Sequence, residues 1–467
     1  MTRELDLIIR NATVVNHDSR QEADIAIRNG QIVGLAERGG FSQAAHEIDA
    51  TGLYALPGLI DPHVHLGNCQ TYEADMADTI AAAHGGITSI GNFMGIGYTH
   101  QTSSYLPQLQ GWIEQWEANA YTNVFFHAII TSEEHVDSME AYYKDFGITS
   151  FKFMAYAGSD AEQLRGLVPI DDGVRWAGFS KIASLGRGAI AMGHAENIEI
   201  VQRRRKDVLA TGRTDLLAVT ETRPRWVEAI ELKKLLYLAE VTGATYYAVH
   251  LSAAESVDLL SKAQRRGVRA FGETNPNYLT HTAEEEELGA LGVEWPPLKD
   301  HESQERLWQG LASRVIQTVG TDHCPIVKEE KPNVWDCEPG FAGLETVVPV
   351  MLSEGVNKGR LSLEQFVAVQ SYNPAHIFGL KQKGQIAVGR DADIVLVDLG
   401  LTRTVRPEEL HYWHADFTLY DGWDITGWPV STIIAGKEII RDGQLVADAG
   451  FGQYIGRDLA ISESFNF

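Results

Sequence analysis

Apolar and polar positions change rhythm twice along this chain. From residue 5 to 37 they alternate in short runs: Leu7-Ile8-Ile9, Thr13-Val14-Val15 and Ile25-Ala26-Ile27, interrupted at Asn11 and at Asn29-Gly30. Asn-Gly between alternating runs predicts a hairpin, with Ile32-Val33-Gly34-Leu35 as its next strand. The same texture returns late, in Ala392–Val397 and in the segment 432–443. Between them, strand-like segments alternate with helical ones. The strands fall at 53–60, 88–93, 124–130, 150–154, 189–194, 246–250, 268–273 and 316–322. Helical patterns at 74–83, 133–146, 226–241 and 253–266 each stop at glycine (Gly85-Gly86, Gly147, Gly243, Gly267), the usual helix terminator. Eight strands alternating with helices predict a (β/α)8 TIM-like barrel. The two all-β ends are expected to pair into one small β-sandwich, giving an α/β protein divided at 1–54, 55–380 and 381–467.

Bulk properties narrow the partners. A chain of 467 residues suits one large domain plus a smaller one, and 44% hydrophobic with 22% charged residues is ordinary for a globular protein. The net charge of −24 argues against nucleic acid. No apolar run approaches the roughly 20 residues that span a bilayer, so no membrane partner is expected. The start, Met1 to Asp6, lacks a secretory apolar stretch. Three cysteines (Cys69, Cys324, Cys337) make no disulfide framework, and a cytoplasmic setting is expected.

Candidate chemistry gathers at the strand ends. The first barrel strand runs into His63-Val64-His65, and residues two apart on a strand share a face. The fourth carries Lys152, the fifth ends in His194, the sixth in His250 and the eighth in Asp322. A strand-end histidine is commonly just a hydrogen-bonded residue, and an Asp before His-Cys-Pro is commonly a turn former. Barrel chemistry, however, sits at the C-terminal ends of the strands. Four imidazoles, a carboxylate and a lysine there match a site for two divalent metal ions. A buried ammonium would repel such ions, whereas a CO2-derived carbamate on Lys152 would bridge them as an anion. Two metals sharing a bridging hydroxide suit hydrolysis of an unactivated amide. Asp322 would then shuttle the proton to the leaving nitrogen.

These motifs resemble those of the amidohydrolase superfamily, and within it the cyclic amidohydrolases: dihydropyrimidinase and hydantoinase, with allantoinase and dihydroorotase as relatives. The resemblance rests on Pro57–His65, Gly85–Thr88, Ser150-Phe151-Lys152, Gly193–Asn197, Glu273–Leu279, Trp295–Leu298, Gly320–Pro325 and Asn373–Leu380. It implies zinc, with His63, His65 and Asp322 on one ion, His194 and His250 on the other, and carboxylated Lys152 between them. It also implies a homotetramer and a small cyclic amide as substrate. Tyr156 is similar to the tyrosine that stabilises the oxyanion in dihydropyrimidinases. It lies one residue closer to the lysine, so either the loop tightens or the phenol stops short of the substrate. Trp295 replaces a small residue beside the substrate amide, and either narrows the pocket or shifts a backbone contact. Gly67 stands where dihydroorotases carry an arginine, which disfavours dihydroorotate. An allantoinase-like ureide hydrolase is the alternative reading. A non-catalytic, dihydropyrimidinase-related assembly protein is disfavoured by the complete ligand set.

Overall fold

The computed structural model describes residues 5–67, 76–94, 102–154 and 170–465. Eight strands form a sequentially ordered parallel sheet: β6 (Leu59–Val64), β7 (Ile87–Met94), β8 (Asn123–Ile130), β9 (Ser150–Phe153), β10 (Ile190–Gly193), β11 (Thr245–Ala248), β12 (Ala270–Thr274) and β13 (Thr318–Val319). The ring closes where Val64 bridges His323 and the His65 N–H donates to the His323 carbonyl at 2.9 Å. The Asp61 carboxylate reinforces the seam, accepting from the Thr321 N–H at 3.1 Å and its hydroxyl at 2.6 Å.

Two apolar layers follow from the period-2 alternation of the strands. Ile60, Phe93, Phe125, Ile129, Met154, Ile190, Met192, Tyr247 and Phe271 fill the barrel interior, with Phe378 plugging it. Their neighbours Ile90, Phe126, Phe151, Phe153, Ala191, Tyr246 and Ala270 face the helices. The helices at Glu133–Phe146 and Arg225–Thr242 end as expected, at Gly147 (φ 68°) and Gly243 (φ 79°) in the left-handed conformation.

Both chain ends build one second sheet. Its order is β17 (Gln444–Leu445), β16 (Lys437–Arg441), β15 (Asp424–Ile434), β14 (Ile394–Thr404), β5 (Tyr54–Pro57), β1 (Leu5–Val15), β2 (Arg20–Arg28) and β3 (Gln31–Ala36), with β4 (Ala44–Asp49) beside β1. The β14–β5 pairing joins the ends across the inserted barrel. Asn29 and Gly30 both take positive φ (51° and 74°) in the β2–β3 turn, as a two-residue hairpin requires.

Two local expectations change. Asn11 does not end a strand: it sits at φ 59° in a register shift within the continuous β1, its N–H donating to Asp24 at 2.9 Å. Strand β4, absent from the alternation pattern, pairs in parallel with β1. The C-terminal tail docks on the barrel of its own chain. The Tyr454 hydroxyl donates to the Phe146 carbonyl at 2.7 Å, and buried Arg457 donates to the Ser150 hydroxyl at 2.7 Å and to the Phe126 carbonyl.

Candidate metal centre

His63 and His65 face inward because β6 slips register. Asp61 opposes Ile90 and Val64 opposes Asn92, so three residues on β6 span two on β7. Strict alternation from inward Ile60 would send both histidines outward. One extra residue at Pro62, a position without an N–H to lose, restores them to the interior. His250 and Asp322 lie just beyond β11 and β13 with positive φ (38° and 54°). Backbone held in this region by a non-glycine residue is strained, and such strain clusters at functional sites.

The result is a convergence of donor atoms. His63 Nε2 lies 3.2 Å from His65 Nε2, and Asp322 Oδ1 lies 3.0 and 2.9 Å from the two. Across the mouth, His194 Nδ1 lies 3.1 Å from His250 Nε2. His63, His250 and Asp322 each offer a ligand atom within 4.8 Å of the others, which links the two groups. Lys152 is buried on the same inward face as Met154, its Nζ 4.8 Å from the Phe93 ring centroid. Among the described residues it has no ion-pair partner.

Outer carboxylates orient the imidazoles. Glu273 Oε1 meets His63 Nδ1 at 2.5 Å. A carboxylate only accepts, so Nδ1 carries the proton and the Nε2 lone pair faces the cavity. Glu273 is itself held by the Tyr247 hydroxyl (2.7 Å) and the His250 N–H (3.0 Å). Gly320 leaves room for this pair, since a Cβ there would lie 2.9 Å from the His63 Cβ and 3.0 Å from Glu273 Oε2. His194 takes the opposite tautomer, with Nε2 facing Glu196 at 2.9 Å and Nδ1 turned to His250. Arg223 clamps Glu196 at 2.5 Å, and the Trp295 ring covers that guanidinium at 3.7 Å. Among the described residues His65 Nδ1 and His250 Nδ1 have no such partner.

Burial and charge set the protonation states. Burial lowers His65 to about 4 and, with Lys152 and His194 nearby, holds His250 well below the usual imidazole range. Burial also opposes charge on His63, but Asp322 and Glu273 raise it to about 9. Burial would raise Asp322, yet His63 and His65 hold it well below the usual carboxylate range. Lys152 is lowered to about 8 by burial, partly offset by Asp322 and Glu273. Two imidazoles held neutral, a carboxylate held ionised, a lysine shifted toward its neutral form, and a His63 whose second proton a cation would displace are a donor set that fits divalent metal.

His63, His65, Lys152, His194, His250 and Asp322 thus all line one barrel mouth. Trp295 is half-buried beside it, with its ring engaged by Arg223. Tyr156 lies outside the described residues. The sequence reading assigned no role to Glu196, Arg223, Glu273 or Glu294. Only Glu273 carried a signal, an acid within an otherwise apolar inward register. A second group, His84, Glu345 and His411, also clusters its ligand atoms. Its imidazoles are stacked 3.5 Å apart at 4°, and an ion cannot lie in two parallel ring planes.

Comparison with known proteins agrees with this geometry. The amidohydrolase family model matches residues 54–439. The chain is similar to the D-hydantoinase of Geobacillus stearothermophilus, 34% identical over 96% of each chain. It is similar as well to the L-hydantoinase of Paenarthrobacter aurescens, 32% identical over 97% of this chain and 98% of that one. The crystal structure of dihydropyrimidinase from Brevibacillus agri NCHU1002 superposes with a TM-score of 0.88 at 33% identity, covering 97% of this chain and 98% of that one. With a family match over most of its length and near full-length relatives of one kind, this chain belongs to the amidohydrolase family, among its hydantoinase and dihydropyrimidinase members.

Proposed function

We propose that this protein is a binuclear metal-dependent hydrolase that opens the C–N bond of a cyclic amide of the hydantoin, dihydropyrimidine or cyclic imide type. The observation that carries the reading is the meeting of His63 Nε2, His65 Nε2 and Asp322 Oδ1 within 3.2 Å, beside His194 and His250 at 3.1 Å. His63, His65 and Asp322 would hold one ion, and His194 and His250 the other. When bound, a pair of zinc ions supplies a water-derived nucleophile at neutral pH and polarises the amide carbonyl.

The remaining chemistry belongs to the chain. The Lys152 ammonium loses a proton to give the amine; addition of the amine to CO2 then forms an N–C bond as one C–O π bond opens, and a second proton leaves the nitrogen. A buried cation would thus be replaced by an anion. Asp322 is the most open member of its group, with a side chain 20% exposed against 0% for His63. It accepts the proton released as water attacks and passes it to the departing ring nitrogen. Glu273 and Glu196 hold His63 and His194 so that little reorganisation accompanies the reaction. Tyr156 is the proposed oxyanion donor, and Trp295 borders the substrate. Both a D- and an L-hydantoinase are near relatives, so likeness alone does not choose the enantiomer.

The test is metal analysis and steady-state rates on protein produced with zinc and bicarbonate. The panel is hydantoin, dihydrouracil, allantoin, succinimide and dihydroorotate. Two equivalents of metal and turnover of a cyclic amide are expected, and a lead for allantoin would favour the ureide reading. Fewer than two equivalents and no turnover would refute the proposal. Lys152→Ala protein that keeps both ions and full rate would refute the carbamate. A homotetramer is proposed as well. Trp226, Ile230, Tyr237 and Val241 lie exposed along the helix Arg225–Thr242, and Trp176 is exposed on the adjoining helix Asp172–Leu185. Light scattering at the monomer mass would exclude it. Among the described residues no helix is long and apolar enough to cross a membrane. Among the described residues Cys324 and Cys337 form no disulfide, and a cytoplasmic setting is proposed.

A further inference from the structure

Beside the metal centre lies a second set of polar groups that the ligand shell does not use. On β12, Phe271 and Glu273 point into the barrel, and Asn275 continues that alternation in extended backbone (φ −110°, ψ 153°). Asn275 is fully buried, and among the described residues neither its amide nitrogen nor its side-chain oxygen has a partner. Two residues on, the Asn277 side-chain amide oxygen accepts from the Tyr420 hydroxyl at 3.0 Å. Glu294 is 4% exposed, and among the described residues its Oε1 has no partner. It is the immediate neighbour of Trp295. The segment it sits on is pinned: Lys331 Nζ and the Gly340 N–H donate to the Val293 carbonyl at 2.8 and 3.1 Å, and the Tyr278 hydroxyl donates to the Pro296 carbonyl at 2.7 Å. Burial and, next, the charge of Asp322 raise the Glu294 carboxyl well above the usual carboxylate range, which favours its neutral form.

Unsatisfied buried polar atoms are costly, roughly 1–3 kcal/mol each. Three of them on rigid elements at one barrel mouth indicate a ligand rather than packing. Their chemistry is specific. Asn275 offers one donor and one acceptor, the complement of an amide. The neutral Glu294 carboxyl offers a further oxygen at Oε1 that can pair with the same amide. We infer that Asn275 and Glu294 form a subsite for an exocyclic carboxamide, so that the preferred substrate is a cyclic amide bearing such a substituent. This rests on the hydrolase reading above. An alkyl group of the same shape would leave all three atoms unpaired, and a site built for hydrogen bonds rejects an analogue that lacks them.

The test compares kcat/KM of the zinc-loaded enzyme on unsubstituted hydantoin and two isosteric derivatives, 5-carbamoylmethylhydantoin and 5-isobutylhydantoin. The wild type is expected to prefer the carbamoylmethyl compound by at least about ten-fold. Glu294→Leu and Asn275→Leu are each expected to cut that ratio about ten-fold, whereas Glu294→Gln keeps most of it. The ratio does not depend on the fraction of correctly folded enzyme. Turnover of hydantoin with no preference between the derivatives would overturn this inference alone, as would a ratio unchanged in both leucine variants. Metal-loaded wild type that opens none of the three rings would overturn the hydrolase reading and the subsite with it.

Discussion

Glu273 is the residue whose removal most directly separates ligand orientation from ligand identity. It is fully buried and binds no metal in the proposed arrangement, yet it receives three hydrogen bonds: His63 Nδ1 at 2.5 Å, the His250 N–H at 3.0 Å and the Tyr247 hydroxyl at 2.7 Å. In Glu273→Gln the amide oxygen can keep the first two. The new NH2 then faces Tyr247, whose hydroxyl can turn to Thr318 Oγ1 at 2.6 Å. The fold survives, and what is lost is the negative charge behind His63. Removing such an outer partner typically lowers metal affinity 10–100-fold. Because the geometry is retained, the lower end is expected, about ten-fold or roughly 1.4 kcal/mol. Glu273→Ala instead leaves three buried donors without an acceptor and should destabilise the fold by about 3–5 kcal/mol. The assay is zinc titration of metal-free protein against a chromogenic chelator, with urea unfolding of the same samples. Folded Glu273→Gln protein whose zinc affinity stays within two-fold of wild type would refute the reasoning, as would Glu273→Ala protein of unchanged stability.

Three further outcomes are expected. Trp295→Ala uncovers the Arg223 guanidinium, stacked at 3.7 Å and buried with Glu196, and should cost about 2–3 kcal/mol in urea unfolding; an unchanged midpoint would show that the stack contributes nothing. Gly452→Ala would set a Cβ against the Thr122 carbonyl, 2.8 Å from its carbon and 3.2 Å from the Thr122 nitrogen, so strain of about 1–3 kcal/mol is expected. The tail should then become protease-sensitive while the barrel stays resistant, and a tail as protected as in wild type would count against this. Asp24 is buried; burial raises its pKa, but the Asn11 and Gly39 N–H groups and Arg10 outweigh this and lower it. Its contribution to stability is therefore present above the unfolded value, about 3.9, and is lost as pH falls through the folded value. Wild-type stability should fall more steeply than that of Asp24→Asn below about pH 4, and parallel curves would contradict the assignment.

Much of this protein was legible because the relevant signals are local. Eight apolar runs separated by glycine-stopped helices specify the order of the parallel sheet, since each strand and helix terminus depends on a few consecutive residues. The ligand residues were legible for the same reason, each marking the end of its own strand. What lay beyond the pattern depends on contacts between distant parts of the chain. No periodicity tells which buried carboxylate meets which imidazole: Glu273 lies 210 residues from His63, and Arg223 lies 27 from Glu196. Nor could alternation alone orient His63 and His65. Their inward aim depends on a one-residue slip against β7, which exists only once the two strands are paired. The docking of the tail was not legible either, because exposed-looking aromatics carry no label for the surface that covers them. Asn275 and Glu294 acquire meaning only when the fold removes water from both without supplying a partner. The sequence alone therefore determined the element types and the ligand inventory, which are local properties. The tertiary structure decided which groups orient the ligands and which remain unsatisfied, because those follow from distance and burial in three dimensions.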